Sequence, residues 1–134
     1  MTPADAMDRC HVILSHLWMV RTFLKHAPEI EEDAELLAVP RTLFDSIRAV
    51  EPARERGDAA EYVRRLKGKL SKLRRVAELL ERDHKRVSDH TNFHMAALSL
   101  TGGVRQLEEI LGQVPPGAGS AASGAEDDLG HTEG

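Results

Sequence analysis

Ser88-Asp89-His90-Thr91-Asn92 is the stretch whose reading decides the fold. Ahead of it, Val63, Leu66, Leu70, Leu73, Ala77 and Leu80 recur at spacings of three and four, and His84 and Val87 extend the stripe. Behind it, Phe93, Ala97, Leu100, Val104, Leu107 and Leu111 form a second stripe of the same kind. Both are helical patterns. Carried forward, the first stripe would fall on positions 91, 94, 98 and 101, so the two registers do not join. The residues between are mostly cap and turn formers. The chain is therefore expected to reverse there, with a last helix from about Thr91 to Leu111 that Gly102-Gly103 weakens and Gly112 closes. The alternative is one unbroken helix from Asp58 to Leu111, roughly 80 Å long at about 1.5 Å per residue, which would make an extended coiled-coil dimer.

Working outward, Asp58 reads as an N-cap with Glu61 three residues on, in the manner of a capping box, after a polar loop from Ala53 to Gly57. Gly68 inside the third helix costs about 1 kcal/mol relative to alanine. The first helix starts at Thr2-Pro3, a capping hydroxyl followed by proline at the first helical position. It runs to about Ala27, where Pro28 ends it. Its stripe is Ala6, Cys10, Ile13, Leu17, Val20 and Leu24, while Met7, Val12, Leu14, Trp18 and Met19 fall on the other sides. A helix so apolar either sits centrally or keeps a second face for a partner. Glu29, Glu31, Glu32, Asp33 and Glu35 then mark the start of a second helix, where carboxylates complement the macrodipole. Its inner face is Leu36, Leu37, Leu43, Phe44, Ile47 and Val50. Pro40 kinks or divides it, and Glu51-Pro52 closes it.

These elements predict an all-α fold, a four-helix up-down-up-down bundle over 1–113. The Pro/Gly/Ala/Ser-rich and then acidic segment 114–134 is expected to be a disordered tail. A length of 134 residues suits one domain with a real core. Aromatics make up only 4%, so Leu, Val, Ile and Ala must build that core, which favours helix packing over a sheet. The net charge of -4 does not by itself point to nucleic acid. Cys10 is the only cysteine, which excludes an internal disulfide and fits a reducing compartment. No leader pattern opens the chain, and no run reaches the ~18 apolar residues that span a bilayer, so a cytoplasmic protein is expected.

In such a bundle the end of helix 1, the start of helix 2, the end of helix 3 and the start of helix 4 share one end. That end collects His26, the acids from Glu29 to Glu35, Asp83, His84, Asp89, His90 and His94. Imidazole with carboxylate is a ligand set for zinc, iron, copper or nickel. His90 and His94 are four apart and would project from one face of a helix. The candidate metal ligands are His90 and His94 first, then His84 and His26, with Glu29 or Glu32 completing the shell. The bland alternative is that polar histidines favour turns and helix ends, where His84 would complement the macrodipole. His16 lies beside the core stripe and reads as partly buried, His11 projects away from it, and His131 in the tail has no role.

His90-x-x-x-His94, with His16, His26 and Glu29 as further members, loosely resembles the hemerythrin-like family. That resemblance implies a four-helix bundle binding a di-iron centre through histidines and carboxylates. Pro28 falls where a His-x-x-x-Glu pair would lie, and helix 4 has no downstream His-x-x-x-Asp/Glu pair. Arg21-x-x-x-x-His26 resembles the Arg-x4-His motif of HEPN-type ribonucleases. It implies acid/base chemistry on RNA by His26 beside a phosphate-holding Arg21, against the simpler reading of an exposed helix end.

Three further features bear on partners. Arg64, Arg65, Lys67, Lys69, Lys72, Arg74 and Arg75 give helix 3 a basic outer face, which suits nucleic acid or an acidic partner, or simply solvation. No aromatics are interleaved to stack on bases, and solvation is favoured. Cys10 sits on the core stripe as a small packed hydrophobe rather than a nucleophile. Val12, Leu14, Trp18 and Met19 of helix 1 are the expected homodimer face, since exposed apolar patches mark association. The alternative to a metal-binding bundle is thus a non-catalytic oligomerising or adaptor protein.

Overall fold

The computed structural model describes residues 1–117. Four long helices pack on one another, with one short helical turn between the first two. They are α1 (Pro3–Lys25), α2 (Pro28–Glu31), α3 (Ala38–Glu55), α4 (Ala59–Val87) and α5 (Thr91–Gly112). The reversal after α4 is present. Ser88 and His90 are extended, with φ and ψ of -168° and 140° and of -66° and 140°. The Ser88 hydroxyl oxygen accepts from the His90 N–H at 3.1 Å. His90 Nδ1 in turn accepts from the Asn92 N–H at 3.1 Å, which starts α5. The single long rod does not form.

α1 begins as its sequence dictates: Thr2 Oγ1 accepts from the Asp5 N–H at 3.1 Å, and Pro3 opens the helix. The second expected helix is divided rather than kinked. The acids lie in α2 and the turn after it, and α3 starts only at Ala38, so Pro40 sits in its first turn, where a missing N–H costs nothing. Asp33 shapes the intervening turn by accepting from the N–H groups of Glu35 and Leu36 at 3.1 and 2.9 Å. Pro52 does not close α3, which continues through it to Glu55. The stop is Gly57, whose φ of 72° is open to glycine at no steric cost. Asp58 caps α4 by accepting from the Glu61 N–H at 3.1 Å. Only half of the capping box forms, because Glu61 turns its carboxylate to Arg64 and Arg65.

α1 packs between α3 and α5, with α4 completing the ring. Contacts fix antiparallel neighbours. Trp18 meets Phe44 while Asp8 meets Arg54, and Phe23 meets Phe93 while Met1 meets Gln113. Between α4 and α5, Arg74 pairs with Glu108 and Glu81 accepts from the Thr101 hydroxyl. The fully buried side chains are mostly leucines, among them Leu17, Leu43, Leu66, Leu80, Leu100 and Leu107. Every member of the α5 stripe is buried. In α1 the buried arc is wider than one stripe, because helices flank it on two sides. Leu14 is 2% exposed and belongs to the core, whereas Ile13 is half-buried. Gly103 allows α1 and α5 to approach: a Cβ placed there would lie 2.8 Å from Leu17 Cδ2.

The body extends past the expected boundary at 113. Val114 is buried, and its carbonyl accepts from Lys67 Nζ at 3.4 Å. The remainder of the expected tail, from 118 onward, lies outside the described residues. No helix among the described residues is long and apolar enough to cross a membrane.

Candidate functional site

The expected ligands occupy one end of the bundle but divide into separate groups. His26, Glu29 and His90 line one surface depression, beside Phe23 of α1 and Phe93 of α5. His26 Nδ1 lies 2.9 Å from the Thr22 carbonyl oxygen, so that nitrogen carries the proton and donates. His90 is the N-cap of α5 rather than a helical residue, and its ring folds back onto the Asn92 N–H. His94, one turn on, does not line that depression. His94 instead faces α4, where its ring centroid lies 6.0 Å from that of His84. Glu32 caps the C-terminus of α2 and is exposed. Among the described residues, no three His, Cys, Asp or Glu side chains form a group able to hold a metal ion.

Three of the acids near this end, Asp33, Glu35 and Asp83, gather around one cation. Arg86 Nη1 meets Asp33 Oδ2 at 2.6 Å, and Arg86 Nη2 reaches Glu35 at 3.6 Å and Asp83 at 3.8 Å. The Arg86 guanidinium, with the Leu36 N–H, holds the Asp33 carboxyl below its usual range. This knot ties the turn after α2 to the last turn of α4.

His84 is the unusual member. It is 5% exposed, on the inner face of α4. Its Nδ1 lies 2.9 Å from the Leu80 carbonyl and must donate to it. Its Nε2 is buried and has no hydrogen-bond partner among the described residues. His16, expected to be partly buried, is exposed.

Arg21 and His26 do not share a cavity. The Arg21 guanidinium carbon lies 4.5 Å from the Trp18 ring centroid and 4.9 Å from that of Phe44, and Arg21 lines a depression between α1 and α3. His26 lines the depression beside α5. Geometry therefore offers the ribonuclease arrangement no support. Much of the basic face on α4 is already engaged: Arg64 and Arg65 with Glu61, Arg74 with Glu108, and Lys67 with the Val114 carbonyl. Cys10 is fully buried, and burial pushes its thiol pKa up to about 12, which leaves it un-ionised at neutral pH.

A second site escapes the sequence pattern. A cleft between α1 and α3, with a volume of about 500 Å³, is walled by Leu14, Trp18, Ile47 and Val50. His11, Ser15, His16, Met19, Arg48, Glu51, Arg54 and Tyr62 complete it. Tyr62 is 1% exposed, and its hydroxyl has no hydrogen-bond partner among the described residues. The only sequence signal is that the single tyrosine of the chain lies one turn after the Asp58 cap.

No protein-family model, curated protein or solved structure matches this chain.

Proposed function

We propose that this chain is a non-catalytic helical bundle that works by associating with a second copy through the outward faces of α1 and α5. One observation carries the reading. Among the described residues the exposed large hydrophobics are Val12, Met19, Met95 and Leu98, and all four lie on these two mutually packed helices. Val12 and Met19 are seven apart and share one face of α1, and Met95 and Leu98 share one side of α5. Gly102 continues that side of α5 and would let a partner helix come close. The face differs from the one expected from sequence. Leu14 is in the core, and Trp18 turns toward Phe44, so Val12 and Met19 remain and the α5 residues join them. A self-complementary patch of this kind suits a two-fold dimer. Sedimentation equilibrium tests it. Wild type should show concentration-dependent dimer, Val12→Asp and Met95→Asp should sediment as folded monomers, and Lys72→Asp on α4 should behave as wild type. A wild-type monomer throughout the micromolar range refutes it.

A second reading, a metal-binding bundle, is favoured by His84. An imidazole whose Nδ1–H is held by a backbone carbonyl presents Nε2 as metal-ligating histidines commonly do. With His94 beside it, the pair would supply two nitrogen ligands for zinc, copper or nickel, and water or a partner would supply the rest. Titration of untagged protein with each metal tests this reading. Stoichiometric binding lost in both His84→Ala and His94→Ala supports it, and metal uptake equal in all three proteins overturns it.

A further inference from the structure

The cleft between α1 and α3 has the makeup of a small-molecule site: mostly apolar walls with a few converging polar groups. Its inner side is closed by Tyr62, the one residue it takes from α4. A buried hydroxyl normally finds a hydrogen-bond partner. That of Tyr62 has none among the described residues, although the residue lines the cleft. Burial raises the Tyr62 pKa, so the phenol keeps its proton and is available as a donor.

The charges around it have a sign. Two guanidinium groups, Arg48 and Arg54, line the cleft against one carboxylate, Glu51. Arg48 Nε is paired with Glu51 at 2.9 Å and lies over the Phe44 ring. Arg54 has only a long contact of 3.5 Å with Asp8, whose side chain is 73% exposed. It therefore keeps donors for another acceptor. Asp8 does not line the cleft, so once Arg48 and Glu51 cancel, Arg54 leaves the lining itself with one positive charge, balanced only by that exposed carboxylate outside it.

We infer that this cleft binds a small amphipathic anion, an apolar body ending in a carboxylate or similar acid group. The body packs against Trp18, Ile47 and Val50. The acid group accepts from the Tyr62 hydroxyl and draws on the charge of Arg54. Of the four residues of the self-association face, Met19 also lines the cleft while Val12, Met95 and Leu98 do not, so Met95→Asp should abolish the dimer and leave decanoate binding intact.

The test is a titration with decanoate, followed by the fluorescence of Trp18, the only tryptophan of the chain and a wall of the cleft. Saturable one-to-one binding is expected. Affinity should fall about tenfold or more in Tyr62→Phe and in Arg54→Gln, the loss typical of a hydrogen bond to a charged group. Decyltrimethylammonium, with the same tail and the opposite charge, should bind more weakly by a similar factor. Tyr62→Phe should melt at or above the wild-type temperature, because it removes a hydroxyl that has no partner to lose, so its binding defect cannot be misfolding. Equal decanoate affinity in wild type and Tyr62→Phe overturns the inference, as does equal binding of the two amphiphiles. Absence of saturable binding, in a dimeric chain that Trp18→Ala makes monomeric, assigns the cleft to a second copy and overturns it too.

Discussion

Adjacent glycines in α5 should respond in opposite ways to one added methyl group. At Gly102 a Cβ would meet nothing within 4 Å, while at Gly103 it would meet Leu17 Cδ2 at 2.8 Å, Leu17 Cγ at 3.4 Å and Ile13 Cγ2 at 3.5 Å. Both positions are helical, so alanine gains about 1 kcal/mol of propensity at each. Within one chain that gain stands alone at Gly102, so at concentrations where the chain is monomeric Gly102→Ala should be stabilised by up to about 1 kcal/mol. At Gly103 it is opposed by overpacking, which typically costs about 1–3 kcal/mol. Leu17 is fully buried, so it has little room to turn away. Propensity cancels in the difference, which isolates the contact: Gly103→Ala should be less stable than Gly102→Ala by about 1–3 kcal/mol. For a chain of this size that is roughly 4–12 °C between the two melting temperatures. Urea titrations followed by circular dichroism supply the free energies, with equal m-values as the check that both variants unfold alike. A Gly103→Ala chain as stable as Gly102→Ala would refute the close approach of α1 and α5.

Other consequences are equally direct. Asp58→Ala removes the side-chain acceptor for the Glu61 N–H and should cost about 1 kcal/mol in the same titration. The Arg86 guanidinium keeps the Asp33 pKa lower in the folded state than in the unfolded chain. The stability this contributes is present above the unfolded pKa and lost as pH falls through the folded one. Asp33→Asn should therefore flatten the acid side of the stability–pH curve while leaving the turn's N–H groups an oxygen acceptor; an unchanged acid limb counts against the Asp33–Arg86 knot. Cys10, buried and un-ionised, should resist thiol reagents at neutral pH until the chain unfolds, so fast labelling of native protein contradicts its packing.

Much of this architecture is legible in the residues. The loss of phase between Val87 and Phe93 foretells the reversal, and the α5 stripe is buried as its period requires. Asp58 and Thr2 announce helix starts that form. Proline is less informative than its position suggests: Pro40 marks a first turn, and α3 runs through Pro52 because the stop is set by Gly57. The arc of α1 is misread at Met7, Ile13 and Leu14, since period alone does not reveal that neighbours on two sides widen the buried sector to Met7 and Leu14. The bundle end is foreseen correctly, but which histidines meet there is not. That depends on the rotation of each helix and on His90 capping α5 instead of joining it. The Tyr62 cleft leaves only the lone tyrosine after the Asp58 cap as a trace, because its parts come from three helices and only packing assembles them.

The most direct test of the central claim is a distance between two copies of the chain. A spin label at Ser15→Cys lies on the exposed side of α1 between Val12 and Met19, and the buried Cys10 will not compete for the reagent. Pulsed dipolar spectroscopy should then find a short intermolecular distance that disappears on dilution with unlabelled chain and is absent in the Met95→Asp background. A labelled protein with no dipolar signal at high concentration, or with a distance that Met95→Asp leaves untouched, would contradict association through α1 and α5.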